Sequence, residues 1–515
     1  MQLFRRVALC LPLLAPAAAH AEDLGPAQAE AFQKQLKDSL ASLLGPSIKL
    51  PDLPWKVTGE HDHYLITWPI SGATGPDGGP LVSTTRLRPL DGGRWGIDQV
   101  SVPPSGSFTL DLPDKADVAG GPMDVTFSIG KQDTHGVFDP AFATPSNLHT
   151  EVGDLVVTTK NASQRQEQRF DRYLVDTSLK PTQNGRLDLT IDAAVDGWKS
   201  ASQTSGGTPV AIGIQALRAT GRIDGVNRER VSALVTAAGS LVGALPPDFT
   251  GKGASSKLPE PAKAQVRLMV AALQDMLTGV SLEETLDGLQ VEIAGIGGLS
   301  IKRFKLGFGG ESLDGRLKAW LDLGLDELAS PSLPPKMAAY LPHRIALRPT
   351  LSGIQMADLH KLVLDATDDD AGNDRLGPDI DAIFAHGGVD IGVETLSLDL
   401  GPARIDGTGH VKVLSPGAWR GEARLTATGL DDLTTEARTH PELQQALPVL
   451  IMLRGLARPE GQRLVWDVVS DGPKITVNGL DLSQLGGGGP GPKGRPPARP
   501  PAPPPAKPPG QPPSR

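Results

Sequence analysis

The stretch LDLTIDAAVD, residues 187–196, decides the fold of this 515-residue chain. Apolar side chains occupy every second position of it, with polar residues between them: Leu187, Leu189, Ile191, Ala193 and Val195. Successive side chains of a β-strand point to opposite faces, so this segment has one apolar and one polar face. Such a pattern is typical of an antiparallel sheet that turns one face away from water.

The same alternation recurs on both sides of this segment, at 123–129, 317–325, 389–393 and 423–427. Short turn signals lie between the runs, namely Asp91-Gly92-Gly93, Asn184-Gly185, Asp314-Gly315 and Asp471-Gly472. Strands separated by such turns form hairpins. We therefore predict a mainly β fold (β-rich α+β), with two antiparallel, curved β-sheet domains, a few amphipathic helices and a disordered C-terminal tail.

Four segments have apolar residues at three- and four-residue steps, which predicts amphipathic helices. They cover residues 26–44, 228–245, 260–278 and 441–456. We expect Pro448 to kink the last helix, because proline cannot donate a backbone hydrogen bond. Ser281 and Glu284, just after the third helix, have the spacing of a capping box.

The composition divides the chain into four parts. We predict a signal peptide at 1–21, an N-terminal β-rich domain with a leading helix at 22–224, a helical hairpin with a second β-rich domain at 225–485, and a tail at 486–515. The tail is rich in glycine and proline and cannot form a core, and its proline favours an extended polyproline II conformation.

Residues 1–21, MQLFRRVALCLPLLAPAAAHA, have the three parts of a secretory signal peptide. Arg5 and Arg6 are the basic part, an apolar run follows, and Ala19-His20-Ala21 fits the cleavage site. The apolar run is about half as long as a membrane-spanning helix requires. We expect a periplasmic or secreted mature protein. Its only cysteine, Cys10, lies in this segment, so we expect no disulfide.

The charge distribution argues against nucleic acid as a partner. The chain has a formal net charge of −9, although its tail carries only basic charges. The rest of the chain is therefore more acidic still and repels phosphate. The basic tail itself suits an anionic polymer or a membrane surface, with a solubilising tail as the alternative.

Two segments are candidates for metal binding. On a strand, His61 and His63 would project from one face, which is a spacing used for zinc. An acidic loop that contains Asp368 and Asp370 has the oxygen donors that calcium prefers. Neither segment supplies a complete ligand set, so a polar turn and a solvated acidic loop are the alternatives. We predict no metal and no cofactor.

No local catalytic motif occurs in the sequence. It contains no G-x-S-x-G elbow, no phosphate-binding Walker loop and no H-E-x-x-H pair. Catalytic groups can be assembled by folding from distant positions, so the sequence neither indicates nor excludes an enzyme.

Three segments carry a family likeness: LRPLDGGRWGID at 87–98, YLPHRIALRPTLSGI at 340–354 and DGPKITVNGLDLSQL at 471–485. They resemble stretches of an exported bacterial envelope family catalogued as a domain of unknown function. This resemblance implies a helix after the signal peptide and long β-sheets behind it. More loosely, the strands with alternating leucine and aspartate resemble AsmA-type envelope proteins, whose curved sheets offer an apolar groove to lipid. Neither resemblance implies catalytic residues.

These observations predict an exported, non-enzymatic envelope protein that binds lipid or another amphiphile along an apolar sheet face. The candidate lining residues lie on the longest alternating runs: Leu187, Leu189, Ile191, Leu321, Leu323 and Leu325. The alternative is a scaffold or interaction protein in which the same face is a sealed core. A metal-dependent hydrolase is the third hypothesis.

Overall fold

The computed structural model describes most of the chain between residues 24 and 482. The described ranges are 24–34, 55–75, 78–110, 122–139, 144–182, 184–204, 206–245, 259–367, 373–439, 444–445 and 447–482. The predicted signal peptide, the tail from residue 486 and the loop with Asp368 and Asp370 lie outside the described residues.

The described part of the chain is mainly β, as predicted. The strands of the N-terminal half are β1 (Lys56–Glu60), β2 (His63–Thr74), β3 (Pro80–Pro89), β4 (Trp95–Ser101), β5 (Ser105–Leu110), β6 (Met123–Ser128), β7 (Lys131–Asp139), β8 (Thr144–Lys160), β9 (Gln164–Pro181), β10 (Leu187–Thr204) and β11 (Val210–Val226). Those that follow are β12 (Gly279–Ile293), β13 (Gly297–Leu313), β14 (Arg316–Ala329), β15 (Arg344–Gln355), β16 (Val389–Asp399), β17 (Arg404–Ser415), β18 (Ala418–Thr428), β19 (Arg458–Glu460), β20 (Arg463–Asp471), β21 (Lys474–Val477) and β22 (Leu480–Asp481).

The helices lie before and between these strands. They are α1 over residues 26–34, α2 (Arg228–Ala244), α3 (Glu260–Leu273), α4 (Pro335–Ala338), α5 (Met356–Thr367), α6 (Asn373–Ala385), α7 (Leu430–Thr439) and α8 (Leu447–Leu456).

All the strands belong to one antiparallel sheet. From β8 to β18 each strand pairs with its neighbours in sequence, and β20, β21 and β22 continue the sheet. The two predicted β regions are joined, because β11 and β12 pair from Val210↔Ile293 to Asp224↔Gly279. At the N-terminal end the pairing closes into a ring, because two routes connect β2 with β8. One runs through β3, β4 and β7, and the other runs through β5 and β6.

The helices connect strands at both ends of the strands. The pair α2–α3 joins β11 to β12, and α5–α6 joins β15 to β16 at the same end. At the opposite end α4 lies between β14 and β15, and α7–α8 follows β18. Asn227 caps α2, because its side chain accepts hydrogen bonds from the backbone N–H groups of Glu229 and Arg230.

Several helix predictions need correction. Within the described residues the first helix is seen over 26–34, α2 agrees with its prediction, and α3 ends at Leu273. The capping-box prediction is wrong, because Ser281 and Glu284 lie in β12. The kink prediction is also wrong. Pro448 is the second residue of α8, where its missing N–H removes no intrahelical bond.

The two ends of the sheet have sealed cores. At the N-terminal end Phe32 of α1 stacks on Tyr64 with ring centroids 4.4 Å apart, and Trp95 lies 4.6 Å from Phe32. At the C-terminal end α7 and α8 cover the strands β18 and β20. There the indole N–H of Trp466 donates a 2.9 Å hydrogen bond to the carbonyl of Leu453. Helices thus cover apolar strand residues at each end.

Candidate ligand-binding face

The long strands share one continuous apolar face. Cross-strand pairing aligns one residue from each of twelve strands in a first row: Val152, Tyr173, Val195, Leu217, Leu286, Phe304, Leu325, Ile345, Leu398, Ile405, Ala427 and Leu464. Every member is apolar or aromatic. Directly opposed residues of an antiparallel pair lie on the same face, so this row runs across the sheet from β8 to β20.

Two further rows lie beside the first. The second contains Thr150, Val175, Ala193, Ala219, Glu284, Leu306, Leu323, Leu347, Leu396, Gly407, Leu425 and Trp466. The third contains Leu148, Thr177, Ile191, Gly221, Leu282, Phe308, Leu321, Pro349, Val393, Gly409, Ala423 and Val468. We call these three rows the apolar face.

The apolar face is open to solvent over its central strands. In the first row none of the ten residues from Val152 to Ile405 is buried. In the third row Ile191 is 38% exposed and Phe308 is 43% exposed. The described helices therefore leave this part of the face accessible, whereas Ala427, under α7 and α8, is 1% exposed.

The structure places five of the six predicted lining residues on the accessible part of the sheet. Leu189, Leu321, Leu323 and Leu325 are half-buried, and Ile191 is exposed. Ile191 and Leu321, although distant in sequence, share the third row through Gly221, Leu282 and Phe308. Leu187, by contrast, is 4% exposed, because it lies at the strand end next to Pro181 and Val226.

A line of unusual backbone conformations crosses the sheet beside the first row. Asp154, Gly197, Gly288 and Glu327, on β8, β10, β12 and β14, have φ angles of 51°, 62°, 65° and 50°. The registers place them level with one another, with one residue of each intervening strand between them. We call this line the crease.

The crease shifts the alternation of side chains by one residue. On β12 the apolar side chains on the side of the three rows are Leu282 and Leu286 before Gly288, and Leu289 and Val291 after it. Without the shift, the residues beyond it would point to the opposite face. Because neighbouring strands shift at the same level, apolar side chains remain on one face throughout.

Sequence reasoning missed many residues of this face, among them Phe304, Leu306, Ile345, Leu347, Leu396 and Leu398. The crease hides part of the signal. On several strands the apolar residues step by two, then once by three, and then by two again, so a search for strict alternation finds only fragments.

The opposite face of the sheet carries charged side chains, many of which form ion pairs. Glu151 accepts a 3.2 Å hydrogen bond from Lys131 and another from Arg172, also at 3.2 Å. Asp196 lies 3.8 Å from Arg172 and 2.5 Å from Arg218. The hydrogen bond from Lys131 is the main cause that lowers the pKa of Glu151. Many charges along the strands thus pair with one another on the face that points away from the three rows.

The two candidate metal ligands that the structure describes, His61 and His63, are not brought together. His61 lies in the turn between β1 and β2 with φ 50°, so it does not share a strand face with His63. The ring of His63 contacts Asp62 and Glu60, each at 3.0 Å, and its hydrogen bond is the main cause that lowers the pKa of Asp62. In the described ranges, no three histidine, cysteine or acidic residues form a metal-binding group.

Comparison with known proteins gives no family. No protein-family model matches the chain, and no curated protein or solved structure matches it significantly. The two resemblances noted in the sequence therefore stay predictions. Among the described helices, none is both long and apolar enough to cross a bilayer.

Proposed function

We propose that this protein is an exported, non-enzymatic envelope protein that binds lipid or another amphiphile along the apolar face. The observation that carries the proposal is the first row, which is apolar across twelve strands and half-exposed over most of them. Exposed contiguous apolar surface of this extent is uncommon in soluble proteins and marks binding sites for apolar partners.

The dimensions of the face suit acyl chains. Neighbouring strands lie about 4.8 Å apart, so a row across twelve strands is about 50 Å long. The hydrocarbon core of a bilayer, which holds two opposed acyl chains, is about 30 Å thick. One extended chain therefore fits along the rows, where it would cover leucine side chains that are otherwise in water.

The charge distribution supports the same function. The strand alternation places the charged side chains on the other face of the sheet, where many form ion pairs. An acyl chain on the three rows would meet almost no charged group, so its burial would gain the free energy of apolar transfer without desolvating ions.

The test is a titration of the mature protein with a fluorescent fatty acid and with a fluorescent phospholipid. We expect saturable binding and a raised melting temperature, because a ligand that binds only the native state stabilises it. Leu347→Asp should weaken binding at least tenfold, since it places a charge in the second row. Ala346→Asp, on the same strand but on the opposite face, is the matched control.

Binding that is absent from the wild type, or that the two variants weaken equally, would contradict the proposal. Absence of binding would favour the alternative of a scaffold or interaction protein in which this face is a sealed core.

A further inference from the structure

One charged residue interrupts the apolar face. Among the 36 positions of the three rows only Glu284 is charged, and it lies in the second row, between the other two. Leu282 and Leu286 flank it along β12, and Leu306 lies directly opposite on β13. A carboxylate is thus placed near the middle of a surface that otherwise excludes charge.

Glu284 has no hydrogen-bond or ion-pair partner among the described residues, and its side chain is half-buried. Many carboxylates on the opposite face of the sheet are paired, as Asp287 is with Arg303 at 2.7 Å. Water reaches the half-buried carboxylate of Glu284 while the face is open. A chain that covered the face would remove that water, and the carboxylate would then need a new donor or cation.

The side chains around Glu284 differ in size on its two sides. Towards β10 the second row continues with Ala219 and Ala193, and Gly221 lies beside them in the third row. Towards β16 it continues with Leu306, Leu323, Leu347 and Leu396. The small residues leave space next to the carboxylate, and the leucines offer a continuous apolar track.

We propose that Glu284 binds the cationic head group of an amphiphile whose chain lies along these leucines. The ligand class is a long-chain amine, or a lipid with a primary ammonium group. The head group would sit over Ala193 and Ala219 and supply the missing positive charge. This inference rests on the proposed function, because it assigns the chemistry of the ligand that the apolar face binds.

The experiment compares three ligands with the same sixteen-carbon chain: hexadecylamine, hexadecanol and palmitate. Each displaces a fluorescent fatty alcohol from the full mature protein. For the wild type we expect hexadecylamine to bind about five- to tenfold more tightly than hexadecanol, as a partly exposed ion pair allows. Palmitate should bind more weakly than hexadecanol because like charges repel.

Glu284→Gln should remove the preference while leaving the affinity for hexadecanol unchanged, which also shows that the variant is folded. Glu283→Gln is the matched control, because it removes the same charge from the adjacent residue on the opposite face. It should keep the preference of the wild type.

Equal affinity of the wild type for all three ligands, or a preference that survives in Glu284→Gln, would overturn this assignment and leave the proposed function intact. Failure of the wild type to bind any of the three would overturn both.

Discussion

The N-terminal end and the centre of the sheet use the same alternation of apolar residues with opposite results. In the N-terminal core Trp95 is 2% and Ile97 is 1% exposed, and aromatic rings from α1 and β2 pack over them. In the centre Ile391 of β16 is 47% exposed, and the first row is half-exposed from β8 to β17. The alternation determines which face a side chain points to, and the covering element determines whether it is buried.

The composition of the two regions follows this difference. The N-terminal core contains Phe32, Trp55, Tyr64, Trp95 and Phe138, whose large rings fill the space between helix and strands. The central rows consist mostly of leucine, valine, alanine and glycine. Such a surface offers few rings to cover itself, and its apolar side chains stay partly exposed.

The largest difference in the free energy of unfolding should appear when the same charge is placed in each of the two regions. Ile97→Asp buries an unpaired carboxylate and should lower the free energy of unfolding by about 4 kcal/mol or more. Ile391→Asp, the same substitution at an exposed strand position, should cost about 1 kcal/mol or less. Leu321→Asp, at a half-buried position, should lie between them.

Urea denaturation of the three purified variants measures these differences. Equal losses for Ile97→Asp and Ile391→Asp would show that the central face is covered in solution, and the comparison between the two regions would fail.

A smaller effect should come from the crease, which lies only in the long strands. At Gly197 an added Cβ would meet the carboxylate of Asp171 and would have to adopt φ 62°. Gly197→Ala should therefore destabilise the protein by about 1–2 kcal/mol. Gly213→Ala, on the neighbouring strand, is the control, because its Cβ would meet no atom within 4 Å. Thermal melting of both variants checks the prediction, and equal shifts would contradict it.

The smallest effect on stability should come from an ion pair on the opposite, charged face of the sheet, where covering the apolar face has no influence. The hydrogen bonds from Arg404, and then from Ser397, lower the pKa of Asp406 on β17. A carboxyl whose pKa is lowered in the folded state stabilises the protein above its unfolded pKa of about 3.9. That contribution is lost as the pH falls through the lower, folded pKa.

Asp406→Asn should therefore have a lower urea midpoint than the wild type at pH 7, and the two midpoints should converge as the pH falls below about 4. Added salt should also narrow the gap at pH 7, because the pair is exposed. A gap that stays constant across this pH range would contradict the assigned cause.

The alternating runs at 187–195 and 317–325 were sufficient to predict strands and the face to which each leucine points, because strand geometry is local. They could not predict which residues are covered. Leu187 and Leu189 look equivalent in the sequence, yet only Leu187 is buried, since it lies at the strand end. The helices α5, α6 and α7 were missed, and Glu284 was assigned to a helix cap because its partners on β11 and β13 are far away in sequence.

The order of the strands also sets the size of the molecule. Because each strand from β8 to β17 pairs with the strand before it and the strand after it, this part of the chain is close to a one-dimensional array of hairpins. Each added hairpin would lengthen the rows by two strand spacings, about 10 Å, without changing the contacts elsewhere. The number of hairpins therefore determines the length of the apolar face, and a related chain could have a longer or shorter face by gaining or losing whole hairpins.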